Sequence, residues 1–158
     1  MKICYRDLQN AAFEILRHVG ENEENAQIAS EIMVVNDLRG VSTHGTNLLR
    51  MIEKRCEAKM LSLPTKVTVA SEDMATSVLD GGDGLGQVAG YKAMNAAIEK
   101  ARLYGLGMAL IRNTNNVGCL GYYTHMAASG GMVGMMAGNA NAAMAPWGGA
   151  DAYFGTNP

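Results

Sequence analysis

The hydrophobic period of this chain changes once, at Pro64, and that change restricts the folds open to it more than any other feature. Before Pro64, apolar residues recur three and four positions apart, as on one face of a helix; after it, short runs alternate apolar and polar, as in strands. The first stretch runs through Leu8, Ala12, Ile15, Leu16 and Val19 and stops at Gly20. Asn22 then offers an N-cap, with Glu23 and Glu24 in the first turn of a second helix that ends near Arg39-Gly40. Leu48, Leu49, Ile52, Cys56 and Met60 continue the helical pattern, and Pro64 closes it.

Beyond Pro64 the spacing predicts strands near Lys66–Ala70 and Thr76–Asp80, joined as a hairpin across Ser71-Glu72-Asp73. A helix over Gln87–Tyr104, a strand over Gly107–Arg112, a helix over Cys119–Ser129 and a strand over Met132–Gly138 follow. The fold class is therefore α/β: a helical segment over residues 1–64, then a mixed α/β unit over 65–158.

Several function classes are excluded early. A formal charge of -2, with Lys and Arg scattered along the chain, provides no basic footprint for nucleic acid. No window approaches the ~18 consecutive apolar residues of a membrane helix, and residues 1–17 lack a signal-type apolar core, which places the protein in the cytoplasm. Cys4, Cys56 and Cys119 have no zinc-like spacing, and no metal site is expected.

Of the three histidines, His18 and His125 fall on predicted helices, whereas His44 lies in the polar loop Val41-Ser-Thr-His-Gly45 between two helices. A free imidazole titrates near pH ~6.5, so a loop histidine can pass a proton at neutral pH, and His44 is the catalytic candidate. A second candidate region is the glycine-rich turn Gly81-Gly-Asp-Gly-Leu-Gly86, between a strand and a helix, where bare backbone N–H groups can hold phosphate. Its spacing, Gly84-x-Gly86-x-x-x-Gly90, departs from the Rossmann fingerprint, and the next strand ends in Arg112-Asn113 in place of the acidic residue that holds a ribose. A tight turn with close helix packing is the better reading. The polar loop Asn113–Asn116, the run Asn139-Ala140-Asn141 and the segment Ala145-Pro-Trp-Gly-Gly149 each follow a predicted strand, where side chains can reach a ligand, with Trp147 able to lie on a flat ring.

Taken in order, Asp37-Leu-Arg-Gly40, Thr43-His-Gly45, Gly84-x-Gly86-Gln87, Asn115-Asn-Val-Gly118, Ala145-Pro-Trp-Gly-Gly149 and Gly155-Thr-Asn-Pro158 resemble the type-2 malate/L-lactate dehydrogenase family. That family includes ureidoglycolate dehydrogenases and diketogulonate reductases. The resemblance implies an NAD- or NADP-dependent oxidoreductase that interconverts a 2-hydroxy acid and a 2-keto acid on a mixed-sheet, non-Rossmann cofactor-binding domain, as a homodimer. It assigns the proton donor to His44, substrate contacts to Asn47 and Asn116, and cofactor contacts to Asn139, Ala140, Trp147, Thr156 and Asn157, and it leaves Arg50 as the nearest cation for a substrate carboxylate.

Three positions depart from the family pattern. Asn116 stands where many members carry a second histidine, Leu48 where an arginine is common, and Ala140 where some have serine. Family members are roughly twice as long, so the chain is expected to be an N-terminal half with an incomplete cofactor domain. That expectation keeps two other readings open. One is a catalytically silent truncated fragment that acts only as a packing or dimerisation module; the other is a small-ligand binding protein without redox chemistry.

Overall fold

The computed structural model describes residues 2–158. Helix α1 (Tyr5–His18) buries Ala12 and Leu16, and α2 (Glu23–Leu38) begins where the Asn22 side chain accepts the Asn25 N–H at 2.9 Å, as the N-cap reading expects. A short 3-10 turn, Ser42–His44, leads to α3 (Leu48–Glu57), which buries Leu48 and Ile52. The helical spacing carries on to Met60, but α3 stops at Glu57. Lys59 adopts φ 55°, which a helix cannot continue through, and Met60 N–H folds back to the Arg55 carbonyl.

The sheet is three-stranded and mixed. Strand β1 (Thr68–Asp73) pairs antiparallel with β2 (Thr76–Gly84), and β2 pairs parallel with β3 (Met108–Thr114) through the crossover helix α4 (Gly86–Tyr104). The predicted hairpin is present, but β1 lies a few residues later than its alternating pattern suggested. The chain needs residues 65–67 to cross from α3 to the sheet, and the strand turns only at Asp73–Thr76. Helix α5 (Leu120–Ser129) packs Tyr123 and Ala127 inward.

The strand expected over Met132–Gly138 does not form. Burial alternates there as a strand would require, yet a strand also needs a neighbouring strand to share its backbone hydrogen bonds, and no strand among the described residues runs beside this segment. Val133 is left 99 % exposed and Met135 89 % exposed. Residues 138–158 instead fold back on themselves, with a bridge between Met144 and Phe154 and with Gly138 N–H donating to the Pro158 carbonyl at 2.8 Å.

One core serves both sides of Pro64. Leu16, Ala26, Ala29, Met33, Leu48 and Ile52 from the helices pack with Leu85 and Val88 at the start of α4. A buried polar clasp reinforces this junction. Glu21, 1 % exposed, accepts hydrogen bonds from Asn22 N–H at 2.9 Å, the Asn25 amide at 3.0 Å, and the Thr65 N–H and hydroxyl at 3.0 and 2.5 Å. Leu85 N–H in turn donates to the Thr65 hydroxyl at 2.8 Å. Burying a carboxylate is costly unless its lone pairs are met, and here four donors meet them.

Candidate active site

His44 is the last residue of the 3-10 turn, half-buried where α2 hands the chain to α3. Three ties from the end of α2 and from the loop itself hold it. The Asn36 amide, fully buried, donates to the His44 carbonyl at 3.0 Å. Asp37 Oδ2 accepts from the Thr46 N–H and hydroxyl at 2.9 and 2.7 Å. The Asn47 amide reaches back to the Ser42 carbonyl at 3.1 Å. Only glycine fits at position 45, because a Cβ there would run into the Asp37 carboxylate. The imidazole Nδ1 lies 3.0 Å from the Thr43 hydroxyl oxygen, which occupies one ring nitrogen and leaves Nε2 for a ligand.

The second loop, Asn115–Gly118, is seated against the first. Asn115 is fixed from two sides, accepting from Arg55 at 2.8 Å and donating to the Asp83 carbonyl at 2.9 Å. The exposed Asn116 accepts the Gly118 N–H at 2.8 Å through its side-chain oxygen, so its amide N–H groups remain free to donate. The Tyr123 hydroxyl donates to the Val117 carbonyl, and burial together with the neighbouring Tyr122 pushes this phenol well above its ordinary range, so that it stays a donor. The point that a Cβ on Gly118 would occupy lies 3.9 Å from the His44 carbonyl oxygen and from Leu48 Cδ1. His44, Asn47 and Asn116 therefore belong to one locality, with Arg50 exposed one turn along α3 from Asn47.

The glycine-rich turn takes no part as a phosphate cradle. A Cβ on Gly86 would collide with the Asn115 and Asn116 carbonyls, so the approach to the start of α4 is filled by the second loop itself. This agrees with reading those glycines as a device for close packing.

The remaining predicted positions form a separate cluster. Ala140 N–H donates to the Asn157 side chain at 2.8 Å, which draws Asn139 and Ala140 beside Thr156 and Asn157. Trp147 stands fully exposed at the tip of the same excursion, and among the described residues no hydrogen bond links this cluster to the His44 loop. His18 and His125 are exposed on α1 and α5. Among the described residues no group of His, Cys, Asp or Glu side chains is placed to hold a metal, and no helix is long and apolar enough to cross a membrane.

Sequence reasoning missed the supports of the site: Asn36, the Thr43 hydroxyl and the Glu21–Thr65 clasp. Asn36 and the clasp join buried polar residues that periodicity treats separately. Only the Asp37 to Gly45 pairing left a trace, as an acid and a glycine eight positions apart around a polar loop.

Comparison with known proteins places this geometry. The malate/L-lactate dehydrogenase family model matches residues 3–158. A malate dehydrogenase of Pyrococcus abyssi is 38% identical over 158 residues, covering 100% of this chain and 44% of that protein. An L-sulfolactate dehydrogenase of Methanocaldococcus jannaschii is 37% identical over 145 residues, covering 92% of this chain and 42% of that one. The solved malate dehydrogenase of Pyrococcus horikoshii OT3 superposes with a TM-score of 0.95 at 37% identity, over 100% of this chain and 45% of that chain. The chain thus spans less than half the length of the relatives it matches.

Proposed function

Because the chain belongs to the malate/L-lactate dehydrogenase family, we propose that the protein it forms interconverts a small 2-hydroxy acid and its 2-keto acid with NAD or NADP, and that His44 carries the proton. The observation that supports this most directly is the Thr43–His44 pair. With Nδ1 held at the Thr43 hydroxyl, Nε2 is the nitrogen that faces a substrate oxygen. In reduction, the carbonyl carbon gains a hydride and the carbonyl oxygen takes a proton from His44 Nε2. In oxidation, the neutral ring keeps Nδ1–H on Thr43, and Nε2 accepts the hydroxyl proton. The free amide N–H of Asn116 is suited to orient the substrate carbonyl, while Arg50, beside Asn47 on the exposed start of α3, is the cation available for a carboxylate.

The cofactor positions fit one wall of a nucleotide site. Asn139 and Thr156 present an amide and a hydroxyl on an exposed ledge of paired backbone, and the Trp147 indole is a free flat face. Asn157 is used within the ledge, so its role toward a cofactor is to hold the Ala140 backbone in place. The nicotinamide, when bound, supplies or accepts the hydride; this chain's residues bind it, orient it and manage the proton.

The test is an assay of a protein of the relatives' full length that carries this chain, with NADH and NADPH against pyruvate, oxaloacetate, sulfopyruvate, oxidised ureidoglycolate and diketogulonate. Oxidation of one nucleotide with at least one of these acids is expected, and its loss in His44→Ala. Absence of turnover with every pair would refute the dehydrogenase reading and leave the silent packing module. Ligand binding without turnover would point to the binding-protein reading.

A further inference from the structure

The motif Gly84-x-Gly86-Gln87 has no place in phosphate binding, and its last member is unusual. Gln87 is 1 % exposed, yet its Nε2 has no hydrogen-bond partner among the described residues. A buried amide N–H without an acceptor is rare and asks for a physical reason. Its surroundings suggest one. The Cβ point of Gly118 lies 3.8 Å from Gln87 Nε2 and 3.9 Å from the His44 carbonyl oxygen, so both converge on the same small space between the two active-site loops. Asn36, which donates to that carbonyl at 3.0 Å, brings a buried Oδ1 that also lacks a partner. The Gly118 turn therefore borders both an orphan donor and the carbonyl that Asn36, with its orphan acceptor, already holds. Carbonyl oxygens have two lone pairs, and only one of His44's is taken by Asn36.

We propose that Gln87 is a positioning residue for His44: its amide N–H, through one buried water shared with Asn36 Oδ1, holds the His44 carbonyl against the Gly118 turn and thereby fixes the imidazole on Thr43. This rests on the proton-donor reading of His44 above. Gly86 and Gln87 then act as neighbours with separate tasks. Gly86 lets the Asn115–Asn116 backbone come close, and Gln87 ties the His44 loop to the same platform at the head of α4. A site polar enough to offer a water three or four partners can hold one, which a purely apolar gap could not.

The test reads the ring of His44 in the 158-residue chain by nitrogen-15 NMR of labelled histidine. With three histidines, each signal is assignable by single replacement. In the unaltered chain His44 is expected to be mainly the Nδ1–H tautomer. Gln87→Leu is expected to lower the ratio of Nδ1–H to Nε2–H by about fivefold, the change in equilibrium that loss of one ordinary hydrogen bond makes. The His18 and His125 signals should stay as they are in the unaltered chain. Gln87→Met, closer to glutamine in shape, is read in the same way and guards against a variant that fails to fold. Gln87→Leu combined with Asn36→Leu should do little more than either alone, because both act on one carbonyl. A His44 tautomer ratio unchanged in both Gln87 variants would overturn the inference. If that result came together with lost turnover in His44→Ala, only the role of Gln87 would fall. If His44→Ala kept its turnover, the proton-donor reading itself would fall.

Discussion

At the scale of single residues, the His44 loop is shaped by what cannot be there. Gly45 sits so close to the Asp37 carboxylate that a methyl group has no room, and the same carboxylate anchors Thr46 twice. Gly45→Ala should therefore lower stability by about 1–3 kcal/mol, the range for forcing extra volume into a packed site, measured as a shift of the urea midpoint. For function, His44→Ala in the full-length protein should lower kcat for ketone reduction by at least about a hundredfold, with NAD(P)H affinity little changed. On the proposed reading, reduction should fall with rising pH as the proton donor is lost, and the variant should lack that limb. Unchanged turnover with the same limb would assign the proton to another group. Asn116→Ala should be milder, since a neutral amide orients without titrating, at about 1–3 kcal/mol where its polar partner is left unsatisfied.

Among the elements, two polar ties do what strands and helices alone would not. Thr65 lies between the Glu21 carboxylate and the Leu85 N–H, so Thr65→Val, which keeps shape and removes the hydroxyl, should cost about 1–3 kcal/mol by leaving the Leu85 N–H unsatisfied and taking one donor from Glu21, as read from chemical denaturation. In the middle of β2, Asp80 accepts from Gly82 N–H, the Asn113 amide and Arg112, and these bonds hold its carboxyl below the usual carboxylate range. A depressed folded pKa contributes stability above the unfolded value near ~4 and loses it as pH falls through the folded value. Asp80→Asn should accordingly lower the melting temperature at neutral pH and flatten its acid limb below pH ~4, so that variant and parent converge in acid. The periodic part of this architecture was legible in advance. The α1 and α2 faces, the β1–β2 hairpin and the β2–α4–β3 unit each follow from local spacing. The strand expected over Met132–Gly138 was misread because alternation reports which side chains face inward, while a strand is made by its neighbour. Of the candidate site, the loop position of His44 was legible, whereas the Asn36 tie to its carbonyl was not, since an asparagine buried beside a carbonyl looks in sequence like any surface amide.

For the molecule as a whole, the open features gather after β3. Val133 and Met135 point outward, Tyr153 is exposed, and the outer edge of β3 carries no further strand among the described residues. Unpaired edges and apolar patches associate. Sedimentation of the isolated chain should therefore show concentration-dependent self-association, and Val133→Lys with Met135→Lys should reduce it; a monodisperse monomer with a sharp cooperative melt would argue against this. The chain also carries a single tryptophan, and the fold sets Trp147 at the tip of the 138–158 excursion with its indole entirely in water. Intrinsic fluorescence is thus a one-site gauge. Emission from the native chain should match that of the unfolded chain and stay silent to events near His44, whereas any blue shift on adding nucleotide or protein would report that something has covered that tip.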